Sequence, residues 1–305
     1  MSERIVPTTP SGGVRSPIDS HVHFWDPRRL TYPWLRAVPR LNRPFTPHDL
    51  AVAAPEPVDV VFVEAGRAEQ QALDELEWVR SKAKHRPWIR GVVAHAPLED
   101  PSKAAATIRE YVHDPLVVGV RRNVQDEPAG FTTSDDFRAG VRLLGEAGLP
   151  FDACVRRHQM PELAELAEAC PQTLVVLDHL GKPSPEDPGT PWRQAMRRLA
   201  RQDNVVCKLS GLTTEAAPDT SPEVIVSLLR EALEIFGPDR CLYGSDWPVM
   251  TQATQYATWL ELVRTALAAF PGEAADAVLH ANAVRTYRLD RLTVPSPPGP
   301  REEPE

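Results

Sequence analysis

Cysteine is scarce in this 305-residue chain: the four residues, Cys154, Cys170, Cys207 and Cys241, stand far apart and form no CxxC pair. That argues against a zinc knuckle and against a disulfide framework. Cys154, Cys207 and Cys241 fall in apolar runs of strand length and read as small buried hydrophobes. Excess positive charge is missing too. With a formal net charge of −8, the chain lacks the basic footprint of a nucleic-acid binder, and small molecules are its expected partners. No apolar run approaches the roughly 20 residues of a membrane span, and residues 1–13 lack the apolar core of a secretory signal. The expectation is a cytoplasmic, reduced protein without nucleic-acid or membrane partners. Nothing in the sequence sets an oligomeric state.

What is present suits a large core. Hydrophobic residues make up 42% and charged residues 25%, an ordinary globular balance, and a single α/β barrel routinely fills about 250 residues. Residues 1–13 are polar and rich in Pro, Gly and Thr, and residues 291–305 carry five prolines and three glutamates. Both read as loose tails, leaving one domain over residues 14–290.

Within it, apolar runs of strand length alternate with helical patterns. The strands are expected at Ile18 to His23, Val58 to Glu64, Ile89 to Ala96, Leu116 to Val124, Phe151 to Val155, Leu174 to Asp178, Val205 to Leu209 and Arg240 to Ser245. Amphipathic helices follow most of them, one capped by Ser134 and stopped by Gly148. A long Pro-studded segment, residues 25–57, follows the first strand, and loops of that length often cover a binding site. Eight such strands predict a closed TIM (β/α)8 barrel. An open doubly wound sheet would call for a GxGxxG turn after the first strand, and there is none.

In such a barrel the C-terminal strand ends carry the chemistry. His21 and His23, separated by one residue on a strand, leave the same face and can meet one ion or substrate. Around the rim follow Glu64, His95, Arg121, Arg122, Arg156, His158, His179, Lys182, Lys208 and Asp246. Chance would scatter these groups, so their convergence predicts a catalytic site.

Several stretches carry a resemblance: Asp19-Ser20-His21-Val22-His23-Phe24-Trp25-Asp26-Pro27, Gly119-Val120-Arg121, Leu177-Asp178-His179-Leu180-Gly181-Lys182-Pro183, Cys207-Lys208-Leu209-Ser210-Gly211-Leu212, Gly244-Ser245-Asp246-Trp247-Pro248-Val249, and the Asn282-Ala283-x-Arg285-x-Tyr287 ending. In these the chain resembles the amidohydrolase-related metal-dependent hydrolases, and among them the fuconolactonase-like sugar lactonases. The resemblance implies a hydrolase that opens a sugar-acid lactone with base-activated water. It makes Asp246 the general base and His21, His23, His179 and Asp246 the ligands of one divalent ion, by ligand type Zn²⁺. His179, Arg121 and Lys208 join the catalytic set.

Departures from the family pattern shape this expectation. The fourth strand delivers Arg121 and Arg122 where two-metal members place a bridging lysine or glutamate, and His158 is displaced from the fifth-strand ligand position. One metal is expected, with a metal-free route left open in which histidines and arginines polarise the carbonyl. Arg121, Arg156 and Lys208 are placed to stabilise developing negative charge, or to pair with acids such as Glu64 or Asp178. Glu64 either pairs with an arginine or contacts substrate hydroxyls, and Lys182 is a candidate substrate contact. The indoles of Trp25 and Trp247 either present their faces to the sugar or pack beneath the long loop, where Trp34 is expected. His85, His113 and His280 read as surface residues; His95 and His48 have no assigned role. A decarboxylating lyase and a non-catalytic ligand-binding barrel are the alternatives on the same scaffold.

Overall fold

A computed structural model describes residues 15–292. The tails expected at 1–13 and 291–305 therefore lie outside the described residues, apart from a closing 3-10 turn over Leu289–Leu292. Eight strands lie in sequence order in one parallel sheet: β1 (Ile18–Val22), β2 (Asp59–Val63), β3 (Ile89–His95), β4 (Val117–Arg121), β5 (Phe151–Ala153), β6 (Val175–Leu177), β7 (Val205–Leu209) and β8 (Cys241–Tyr243). Every strand but β7, which runs Val205–Leu209 as expected, ends short of its apolar run at the C-terminal side. There the chain leaves the ladder and turns its polar side chains toward the site.

The seam between β8 and β1 is closed by the segment following β8. Ser245 N–H donates to Asp19 Oδ1 at 2.8 Å, Asp246 N–H to the His21 carbonyl at 2.9 Å and His23 N–H to the Trp247 carbonyl at 2.8 Å. These bonds finish a TIM barrel and also fix Asp246 beside both histidines.

Period-two alternation divides the sheet into two cores. Val61, Val63, Val93, Val118, Val176, Val206 and Leu242 gather with Ile18 on one face, while Val60, Phe62, Val92, Val175, Val205, Cys207 and Cys241 face the surrounding helices. Those helices are α1 (Pro47–Ala53), α2 (Ala72–Ala83), α3 (Pro101–Tyr111), α4 (Asp135–Ala147), α5 (Met160–Ala169), α6 (Gly189–Ala200), α7 (Leu212–Glu215), α8 (Pro222–Phe236), α9 (Tyr256–Leu267), α10 (Glu273–Asp276) and α11 (Asn282–Tyr287). Helix α4 starts where Ser134 Oγ accepts from Phe137 N–H and stops at Gly148, whose φ of 67° suits glycine. Helix α8 buries Ile225, Leu228, Leu229, Ala232, Leu233 and Phe236, the stripe a core-facing helix needs. Truncating Leu229 to Ala would cost about 2–5 kcal/mol.

Segment 25–57 is more ordered than a bare loop. It folds into two short 3-10 turns and α1, whose capping box joins Thr46 to Asp49. Helix α11 packs against the foot of the barrel. Asn282 Nδ2 donates to the carbonyls of Pro238 and Cys241, both at 2.7 Å, and the Tyr287 ring joins the inner cluster of Val61, Val118 and Val206. Among the described residues no helix is long and apolar enough to cross a membrane.

Candidate active site

At the C-terminal rim a cavity of about 540 Å³ opens over His23, His179, Lys182, Asp246, Arg121 and Cys154, walled by Trp34, Arg67, Asn123, Gln125 and Gln252. Its floor is built by backbone geometry. Asp246 (φ 63°), His179 (φ 54°) and Lys182 (φ 53°) all occupy the left-handed region, which non-glycine residues enter at a cost that cluster at functional sites. Glycines make room where the motifs place them. A Cβ on Gly211 would stand 2.6 Å from His179 Nδ1, and one on Gly244 2.9 Å from the His21 Cβ.

His23 Nδ1 lies 2.7 Å from the Val63 carbonyl. A carbonyl only accepts, so Nδ1 carries the proton and Nε2 presents a lone pair. That lone pair faces Asp246 Oδ1 at 3.3 Å. Burial works to raise the Asp246 pKa, yet the carboxyl stands below its ordinary value, with the Lys182 ammonium among the groups that lower it, and is ionised at neutral pH. Two acceptors thus confront each other across a gap that a cation or a water proton would fill.

His21 is fully buried. Its Nε2 is 3.8 Å from Asp246 Oδ1 and its Nδ1 is 3.2 Å from Asp178 Oδ1 and 3.1 Å from Lys208 Nζ. Burial, with Lys208, His23 and Arg121 nearby, pushes its pKa well below the usual histidine value, so it stays neutral. His179 Nδ1 is 2.8 Å from Ser210 Oγ, and burial likewise lowers its pKa despite Asp246.

The ligand atoms of His21, His23 and Asp246 lie within 4.8 Å of one another and could hold a metal ion. The expected four-ligand set is split, because His179 groups instead with His21 and Asp178. The lone pair and carboxylate at 3.3 Å fit a divalent ion by donor chemistry.

Arg121 lines the cavity, held from behind by Glu64: Nε donates to Glu64 Oε1 at 2.8 Å, and Nη2 donates to the Glu64 carbonyl. Glu64 also accepts from Arg67 Nη1 at 3.1 Å and Gly66 N–H at 2.9 Å. Burial opposes its ionisation, yet Arg121 and Arg67 bring its pKa down to about 2. Glu64 is therefore a pairing carboxylate and not a free substrate contact. Next to it Glu75 is buried without full compensation; burial and the Glu64 charge push it up to about 8.

Lys208, Arg156, Trp25 and Trp247 do not line the cavity, whereas Trp34 does. Lys208 is fully buried beneath His21, 2.5 Å from Asp152 Oδ2 and 3.2 Å from Asp178 Oδ1, and does not reach the cavity. A buried strand position cannot leave an ammonium unpaired, and two carboxylates claim it. Arg156 is half-exposed and pairs with Asp126 at 2.7 Å, away from the floor. Trp25 is fully buried, its Nε1 donating to the Leu41 and Arg43 carbonyls at 3.0 and 2.9 Å, and Trp247 packs edge-on against Phe24 and Phe45. The indole on the cavity wall is Trp34, whose Nε1 donates to the Ala65 carbonyl at 2.8 Å. Lys182 does line the cavity, 2.8 Å from Gln125 Oε1 and 3.7 Å from Glu215 Oε1.

Sequence reasoning missed Arg67, Asn123, Gln125 and Cys154 on the wall and Asp152 beneath the floor. Asp152 alone left a signal, a lone carboxylate inside the apolar run Phe151 to Val155.

A parallel eight-stranded barrel with histidines and an aspartate at its C-terminal rim defines an amidohydrolase-type hydrolase scaffold. Residues 18–289 match the sequence pattern of a family described as Amidohydrolase; the chain belongs to that family. It is 34% identical over 293 residues to the L-fucono-1,5-lactonase of Burkholderia multivorans, covering 89% of this chain and 96% of that protein. An L-fucono-1,5-lactonase of Burkholderia ambifaria is 30% identical over 282 residues, covering 90% and 96%. A crystal structure of a Burkholderia multivorans amidohydrolase with bound zinc superposes with a TM-score of 0.78 at 31% identity, covering 90% of this chain and 99% of that one.

Proposed function

We propose that this protein opens a sugar-acid lactone by hydrolysis. The observation that carries the reading is the His23–Asp246 pair at 3.3 Å on the cavity floor, which combines an ionised carboxylate with a neighbouring imidazole whose proton is committed elsewhere. Asp246 accepts the proton of an attacking water, and its position against the histidines holds that water at one place. Arg121, fixed by Glu64, and Lys182 face the same space. They receive the charge that develops on the former carbonyl oxygen and then on the product carboxylate.

A divalent ion would be held by His23 and Asp246, and by His21 Nε2 in the tautomer that donates its Nδ1–H to Asp178; zinc suits these ligands. When bound, such an ion supplies Lewis acidity to the carbonyl and lowers the pKa of water. The relatives named as L-fucono-1,5-lactonases support a lactone substrate. No observation favours the decarboxylating alternative, and the residues a non-catalytic barrel would lose are all present.

The test is proton release on a panel of aldonolactones, with product analysis. Ring-opened acid without CO₂ supports the proposal. Release of CO₂ from an aromatic acid, with no lactone turned over, would replace it with a lyase.

A further inference from the structure

The Asn282-Ala283-x-Arg285-x-Tyr287 ending has no part in the chemistry so far, yet its last residue reaches the underside of the site. Asn282 anchors α11 to the Pro238 and Cys241 carbonyls, and Arg285 adds a bond to the Asp239 carbonyl. This anchoring places Tyr287 in the inner cluster, its hydroxyl 2.9 Å from Asp152 Oδ2 and 3.1 Å from Oδ1. Asp152 Oδ2 is 2.5 Å from Lys208 Nζ, which is 3.1 Å from His21 Nδ1 and 3.2 Å from Asp178 Oδ1. Lys208 offers three N–H donors, and three acceptors surround it. Its ammonium also lies 5.5 Å from the centre of the Tyr287 ring. Every member is at most 2% exposed, so no solvent competes for these contacts.

We propose that Tyr287, Asp152 and Lys208 are positioning residues, a relay from the foot of the barrel that sets the orientation of the His21 imidazole against Asp246. The inference rests on the reading of His21 as part of the lactone-opening site. Tyr287 supplies one proton to Asp152. With that donor in place, Asp152 shares Lys208 with His21 and Asp178. Without it, the carboxylate turns its unsatisfied oxygen toward Lys208 and draws the ammonium away from His21 Nδ1. The ring is then free to rotate about the bond that aims its other nitrogen at Asp246.

Tyr287→Phe tests this, because it keeps the ring and removes only the hydroxyl. The expected result is a fall in kcat of about 10-fold with KM within about twofold. In protein carrying ¹⁵N-labelled histidine, the His21 ring signals, assigned by their loss in His21→Gln, move. Those of His23, tied to the Val63 carbonyl, stay. Asp152→Asn should act in the same direction and stands in if Tyr287→Phe does not fold. Unchanged kcat with unmoved His21 signals overturns the relay. So does a general loosening, with the His21 and His23 signals moving together and KM rising. The nitrogen signals need no substrate, so they judge the relay even if the wild-type protein opens no lactone.

Discussion

Replacing Lys208 by Met removes one ammonium from between two buried carboxylates while nearly conserving volume. At 2.5 and 3.2 Å from Asp152 and Asp178, each contact carries about 5–7 kcal/mol of attraction at an effective dielectric constant near 20, set against the desolvation of all three groups. Removing one partner of such a buried set costs about 3–5 kcal/mol, because the remaining charge is uncompensated. For a domain of this size that is a fall in Tm of about 6–10 °C. The deficit has a pH signature. Burial already raises the folded-state pKa of Asp152 to about 6 even with Lys208 present, above the unfolded value of about 3.9. The folded protein therefore holds that proton more tightly, and stability falls as pH rises through this window. Loss of Lys208 moves the folded pKa higher and extends the fall. Thermal unfolding of Lys208→Met against wild type should show the full difference at pH 8 and a smaller one at pH 5, where Asp152 is protonated but Asp178, whose pKa Lys208 lowers, stays ionised. The double variant with Asp152→Asn should recover part of it. A single variant within 2 °C of wild type at pH 8 would refute the buried-cluster account.

Glu75→Gln should leave Tm almost unchanged at pH 5 and raise it by about 5 °C at pH 9. The folded carboxyl, pushed up to about 8 by burial and Glu64, makes wild-type stability decline from about pH 4.5 to 8; parallel Tm profiles for the two proteins would contradict this. Trp34→Ala should raise KM by about 10-fold with little change in Tm, whereas Trp25→Ala should lower stability by about 3–5 kcal/mol. Steady-state kinetics and calorimetry on both variants distinguish the wall indole from the packed one. Arg156→Ala should leave kcat and KM within about twofold, since its Asp126 partner is a surface pair; a large loss of kcat/KM would return Arg156 to the site.

The barrel was legible because most strands are apolar, β-branched runs bounded by turns, and local pattern carries that. The rim histidines and Asp246 were legible for the same reason: strand ends point at the site. What local pattern does not encode is which of several like residues meets which partner. Trp25 and Trp34 are both loop indoles, and only the carbonyls of Leu41, Arg43 and Ala65 decide which is buried and which lines the cavity. Lys208 looked like an electrophile because its partner Asp152 sits 56 residues away. Tyr287 lies 135 residues from Asp152, and only closure of the barrel brings them together. Arg156 was placed by strand register, but the flexible side chain found Asp126 at the solvent edge.

The most direct test of the account is proton release by Asp246→Asn on whichever aldonolactone the wild-type protein turns over, in metal-depleted and in zinc-loaded samples of equal Tm. The account predicts a fall in kcat of about 10²–10⁴-fold, the share a positioned general base contributes. Activity of the variant near that of the wild type would contradict it and remove Asp246 as the residue that activates water.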